Sequence, residues 1–164
     1  MKKVIAVVGA LLASAGGAAA DVSFERYAIQ NLQTGKNMRP FQAKRRDGNA
    51  IILYDDWRWQ CMTWDLLPVG EGRYQLRNRY TGKTLMPPSV PSAGVSLWQL
   101  PMNGSGSPEW EFIKQADGSY LIRHHGGELY LTISSQETNS PIVLMPFNGT
   151  DSQKWKLRKQ DPWI

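Results

Sequence analysis

One cysteine, Cys61, stands in the 164 residues. Its solitude excludes a disulfide framework within the chain and every zinc site built on cysteine pairs. Histidine is nearly as scarce, with only the adjacent pair His124 and His125. Neighbouring side chains on a strand point to opposite faces, so this pair cannot chelate one ion without a turn, and neither metal nor cofactor is expected. Beyond the first 20 residues there is no apolar run long enough to cross a membrane as a helix. That part also lacks a capped amphipathic stretch of helical length. Charge of one sign is in short surplus: 19 Lys and Arg against 14 Asp and Glu leave +5, too little to call for a nucleic-acid partner unless clustered. The only basic cluster, Lys44-Arg45-Arg46, precedes Asp47-Gly48 and reads as a solvated turn. With 41% hydrophobic and 10% aromatic residues, the composition argues for one domain with its own core and against disorder.

Residues 1–20 read as an export signal. Met1-Lys2-Lys3 supplies the positive end, Val4 to Leu12 the apolar run, and Ala18-Ala19-Ala20 the small-residue cleavage pattern before Asp21. Cleavage near Ala20 is expected to leave residues 21–164 as one secreted or periplasmic domain. An unpaired cysteine in such a protein is expected to be buried, and Cys61 is flanked by Met62 and Trp64.

The rest of the chain repeats itself. Trp64-Asp65-Leu66, Trp110-Glu111-Phe112 and Trp155-Lys156-Leu157 share one pattern, about 46 residues apart. Tyr27, Tyr74 and Tyr120 open a second phased set, Tyr27-Ala28-Ile29-Gln30-Asn31, Tyr74-Gln75-Leu76-Arg77-Asn78 and Tyr120-Leu121-Ile122-Arg123-His124. Asn31 leads into Thr34-Gly35-Lys36, and Asn78 leads at the same offset into Thr81-Gly82-Lys83. His124 holds the matching place in the third copy, which suggests a turn-forming role. Alternation of apolar and polar residues, with runs such as Ile51-Ile52-Leu53-Tyr54 and Ile142-Val143-Leu144-Met145, predicts short strands throughout. Each copy is too small to bury its own apolar face. Three copies closing around a shared axis, with Trp64, Trp110 and Trp155 inside, give an all-β, three-lobed barrel. A three-bladed propeller would need a four-stranded sheet per copy and suits this length poorly.

On these residues the chain resembles the ricin-type β-trefoil lectins, whose repeats end in Gln-x-Trp. Gln153-Lys154-Trp155 matches directly, while Met62-Thr63-Trp64 and Pro108-Glu109-Trp110 keep only the tryptophan. The resemblance spans roughly residues 24–159. It implies a β-trefoil of twelve strands and up to three shallow sugar sites, one per lobe, built from an aspartate, an aromatic platform and polar Asn or Gln. At the aspartate position this chain has Arg39, Met86 and Thr132, and at the platform position Tyr54, Leu100 and Met145. The expected site is therefore the first lobe, where Tyr54, Asp55, Asp56, Trp57, Arg58 and Trp59 lie together. There Tyr54 would stack on the sugar and Asp55 or Asp56 would accept from hydroxyls. Arg39 or Arg58 would donate or clamp an anionic sugar, and Trp57 and Trp59 would either join them or close the barrel end. Trp98, two residues out of phase, is either a further platform or core packing beside Leu97. The expected function is non-catalytic binding of glycans or glycoproteins.

Three other readings stand beside it. The Trp57-Arg58-Trp59 cluster also resembles the aromatic patch of a cell-binding subunit of the cytolethal distending toxins, where it would dock a catalytic partner. The stretch His124-His125-Gly126-Gly127-Glu128 could be drawn as a metal site, but no catalytic set has its signature spacing and no catalytic residue is expected. Pro87-Pro88-Ser89-Val90-Pro91 is stiff enough for a protease-inhibiting loop, or is simply a lengthened connection.

Overall fold

A computed structural model describes residues 25–163. The export signal expected over residues 1–20 lies outside the described residues. Among the described residues, twelve short strands and four single 3-10 turns make up the regular structure. In chain order the strands are β1 (Arg26–Asn31), β2 (Asn37–Pro40), β3 (Asn49–Tyr54), β4 (Trp64–Gly70), β5 (Arg73–Asn78) and β6 (Thr84–Met86), then β7 (Trp98–Leu100), β8 (Trp110–Lys114), β9 (Tyr120–His124), β10 (Leu129–Ile133), β11 (Ile142–Pro146) and β12 (Trp155–Lys159).

Six of them close on themselves. β1 pairs with β4, β4 with β5, β5 with β8, β8 with β9, β9 with β12, and β12 returns to β1, all antiparallel. Closure removes the exposed edges that an open sheet would present. The remaining strands form three hairpins, β2–β3, β6–β7 and β10–β11. These meet one another through the β3–β7 pairing and through bridges at Ile52–Pro141 and Ser96–Val143, and so cap one end of the barrel.

The register shows why the tryptophan and tyrosine sets share a phase. Tyr27 faces Trp64, Tyr74 faces Trp110, and Tyr120 faces Trp155 where the first and last strands of each lobe pair. Each seam between lobes carries one equivalent backbone bond: Leu32 N–H to Lys154 C=O at 2.8 Å, Arg79 to Thr63 at 2.9 Å, and His125 to Glu109 at 3.0 Å. Trp64, Trp110 and Trp155 are fully buried in a single core with Ile29, Leu76 and Ile122 from the barrel and Leu53, Leu97 and Leu144 from the hairpin cap. An apolar face that one lobe could not hide alone is thus covered by the other two.

The Asn-x-x-Thr-Gly-Lys turns explain their own spelling. The carboxamide oxygen of buried Asn31 accepts from the Gln33 and Thr34 amides at 3.1 and 3.2 Å, and Asn78 repeats this with Tyr80 and Thr81 at 3.1 Å. Gly35 and Gly82 then close the turn at φ of 71° and 73°, a region that only glycine enters without strain. In the third lobe His124 instead packs its ring edge-on against Trp110 at 5.1 Å, and its backbone closes the turn, with Gly127 N–H donating to His124 C=O at 3.3 Å.

Cys61 is buried in the 3-10 turn Gln60–Met62, and burial pushes its thiol pKa up, although the nearby Arg39 charge acts the other way. Both effects of burial, poor access and less thiolate, protect it. A bulky aromatic disulfide reagent is expected to leave the folded protein unmodified and to titrate one thiol in denaturant. Fast stoichiometric release of the chromophore without denaturant would contradict this.

Candidate functional site

The hairpin β2–β3 carries the first-lobe residues singled out above. Arg39 lies opposite Ile52 and Tyr54 opposite Asn37, so the two side chains are diagonal neighbours on one face of the ladder. The Arg39 guanidinium sits 3.6 Å above the centre of the Tyr54 ring and 5.9 Å from that of Trp59. Trp57 and Trp59 stack nearly parallel, 5.5 Å apart with 8° between planes, and Trp59 also leans on Tyr54 at 6.4 Å. The order is therefore Arg39, Tyr54, Trp59, Trp57, running from the core to the surface, where Trp57 is 48% exposed. Residues 55–59 are irregular chain between β3 and the 3-10 turn at Gln60, which leaves their side chains free to gather.

The carboxylates of this stretch are held to other parts of the barrel. Asp55 accepts from the Thr138 hydroxyl at 2.9 Å. Asp56 accepts from Asn37 Nδ2 at 2.8 Å and from Arg158 Nη1 at 2.6 Å. Burial raises the Asp56 pKa, but these bonds outweigh it and hold the carboxyl below its ordinary value. Arg58 turns to the chain's C-terminal stretch, donating to Asp161 C=O at 3.0 Å with its guanidinium 5.8 Å from the Trp163 ring. Trp98 belongs to neither aromatic stack: it lies on β7 opposite Ala50, over Gly48, and is 40% exposed, while Leu97 beside it is buried. It is thus not core packing, because successive strand residues face opposite ways.

Between the hairpin and the second lobe lies an apolar-walled cleft of about 350 Å³, lined by Arg39, Ala43, Trp59, Cys61 and Tyr80. Tyr80 and Ala43 carried no signal in the sequence, since the cleft joins a turn of one repeat to the hairpin of another. The Lys44-Arg45-Arg46 turn is exposed, and Arg45 stacks over Tyr80 at 4.2 Å.

In the third lobe, Gln153 of the Gln-x-Trp is fully buried and works on the fold. Its amide donates to Thr132 Oγ1 at 3.0 Å and to Pro146 C=O at 2.8 Å, and its oxygen accepts from the Asn148 amide at 2.8 Å. His125 is hydrogen-bonded to Glu111 at 2.8 Å and to Arg73 at 3.0 Å. Among the described residues no group of three His, Cys, Asp or Glu side chains could hold a metal ion. The Pro87–Pro91 segment connects β6 to β7, with Val90 82% exposed.

No protein-family model matches the chain, and no curated protein matches it in sequence. Solved structures do match in shape. A designed three-fold symmetric protein, ThreeFoil, is 24% identical with a TM-score of 0.76, covering 80% of this chain and 96% of its own. A ricin B-like lectin from Macrolepiota procera, solved with lactose, is 18% identical with a TM-score of 0.72, covering 82% of this chain and 95% of its own. An exo-β-1,3-galactanase from Clostridium thermocellum is 27% identical with a TM-score of 0.75, covering 82% of this chain but 30% of its own. With its closed six-stranded barrel and three-hairpin cap, this chain has the R-type β-trefoil fold of the ricin B-like lectins.

Proposed function

We propose that the chain is an exported, non-catalytic carbohydrate-binding protein built of three repeats of about 46 residues. It takes glycans or glycoproteins through the first lobe. The observation that carries this reading is the Trp57 ring, 48% exposed and backed flat by Trp59. A braced, half-open indole offers the flat apolar surface on which the C–H face of a sugar packs. Tyr54 supports the stack from beneath, and the exposed Asp55 and Asp56, next to Trp57 in the chain, supply the remaining acceptors. Trp98 forms a separate exposed platform on β7. The same shape in a lectin solved with lactose supports the reading.

Asp56 does not supply the acid of a glycosidase. Sugar hydrolysis needs one carboxyl kept protonated as the acid by a raised pKa, whereas Asp56 is held low by Arg158 and Asn37. A single shallow site binds in roughly the millimolar to micromolar range, so useful avidity calls for several sites or copies. A glycan array followed by titration of the best ligand is the test. Trp57→Ala is expected to weaken binding roughly tenfold or more, and Tyr54→Ala by less, each lost decade being about 1.4 kcal/mol. Binding untouched by both changes would remove the site from the first lobe.

The second reading is a toxin's cell-binding subunit. It is favoured by Trp163, 64% exposed beside Arg58, which with Trp57 makes an aromatic and arginine surface of the kind that anchors protein partners. A protein that stays monomeric on size exclusion with candidate partners while binding glycans argues against it.

A further inference from the structure

Two charged side chains are buried among the described residues, Asp65 and Arg39. Asp65 is answered by Arg77 at 2.9 Å and Arg79 at 3.7 Å. Arg39 is 7% exposed, and among the described residues no carboxylate forms an ion pair with it. Its Nε–H is buried without an acceptor. The Tyr54 ring covers one face of the guanidinium, which satisfies the cation but none of its in-plane N–H donors. A buried charge left in that condition is costly unless something answers it.

The place for an answer is the cleft of about 350 Å³ that Arg39 lines with Ala43, Trp59, Cys61 and Tyr80. None of these residues carries negative charge. A second guanidinium, that of Arg45, stands at the cleft's edge over Tyr80, on an exposed turn that also bears Lys44 and Arg46. Apolar walls lower the local polarity and strengthen an ion pair formed against them. Two rings, Trp59 and Tyr80, line the same space and suit a body with an apolar face.

We propose that this cleft receives the anionic group of an acidic sugar, a carboxylate or a sulfate, with Arg39 as its buried ligand and Arg45 as its outer one. The proposal rests on the carbohydrate reading and names its ligand class. The planar fork of an arginine donates two parallel bonds to such a group, a geometry that lysine lacks.

The experiment titrates sialyllactose, sulfated lactose and lactose into the wild-type protein and into Arg39→Gln, Arg39→Lys and Arg45→Gln. Tryptophan fluorescence reports binding, and circular dichroism reports folding. The wild type is expected to bind at least one acidic sugar roughly tenfold or more tighter than lactose, with the advantage shrinking as salt is raised. The relative strength of the sialyl and sulfated ligands identifies the preferred anion. Arg39→Gln is expected to bring the ratio of acidic to neutral affinity close to one, and Arg39→Lys to restore only part of it. Should Arg39→Gln not fold, Arg45→Gln on the exposed rim is expected to cut the same ratio roughly threefold, as loss of an outer charge does. Lactose binding as well as the acidic sugars in the wild type overturns the proposal and leaves the carbohydrate reading intact. A ratio unmoved in every folded variant does the same. Failure of all three ligands, with a blank glycan array, overturns both.

Discussion

Trp64→Ala is expected to destabilise the protein by about 3–5 kcal/mol, a large part of the roughly 5–15 kcal/mol that holds a typical domain folded. The ring is fully buried where the three lobes meet, and its indole N–H donates to Met38 C=O at 3.2 Å. Truncation would open a cavity shared by all three lobes, which no single lobe can collapse to fill. The equivalent positions are not energetically alike. Trp155 donates to Leu131 C=O at 3.0 Å, but the Trp110 N–H is buried with no acceptor. A Trp→Phe series separates packing from hydrogen bonding. Trp64→Phe and Trp155→Phe each discard a buried bond, for about 1 kcal/mol beyond the lost ring area. Trp110→Phe discards an unsatisfied donor and is expected to be the mildest. Urea midpoints at constant slope measure all four. A Trp110→Phe as damaging as the other two would show that its N–H has a partner after all, and a tolerated Trp64→Ala would remove that ring from the joint centre.

The barrel was legible because its information is redundant. Three tryptophans and three tyrosines keep one phase, and the pairing of each lobe's first strand with its last sets them opposite one another, Tyr27 with Trp64, Tyr74 with Trp110 and Tyr120 with Trp155. The site was legible as composition but not as arrangement. That Arg39, Tyr54, Trp57 and Trp59 would gather follows from a hairpin of known register and a short irregular stretch. That Asp56 would be claimed by Arg158, on a strand 102 residues away, does not follow from anything local. The cleft wall at Tyr80 belongs to the next repeat, so only the closed barrel brings it to Arg39. Trp98 beside Leu97 illustrates the same limit: an apolar pair names a strand but not which member faces inward until its first pairing is known. The buried Gln153 illustrates the converse. A residue legible as part of a binding family's signature serves here to tie Thr132 and Pro146 to the turn before Trp155.

The turn positions at Asn31, Asn78 and His124 carry the second large effect. Asn31 accepts two backbone amides and donates to Ser152 C=O at 3.2 Å, while Asn78 donates to Cys61 C=O at 2.8 Å, so each stitches its own turn to a neighbouring 3-10 turn. Asn31→Ala and Asn78→Ala would leave those buried groups unanswered and are expected to cost about 2–3 kcal/mol each. His124 replaces this with an edge-on contact to Trp110, and the replacement is sensitive to pH. Burial lowers the His124 pKa, and the charge of neighbouring His125 lowers it further. The unfolded chain therefore takes up this proton first as the pH falls. Stability held by neutral His124 is complete above the unfolded value of about 6.5 and is lost progressively as pH falls through it toward the lowered folded value. The lowered carboxyls of Asp56 and Glu111 act in the same direction but lower on the scale. They lend stability above the unfolded carboxylate range of roughly 4 and lose it only at more acid pH. Between about pH 6.5 and 4.5 the histidine term is thus separable. His124→Asn is expected to flatten the fall in urea midpoint across that window, and a slope unchanged by the substitution would assign the loss to another group.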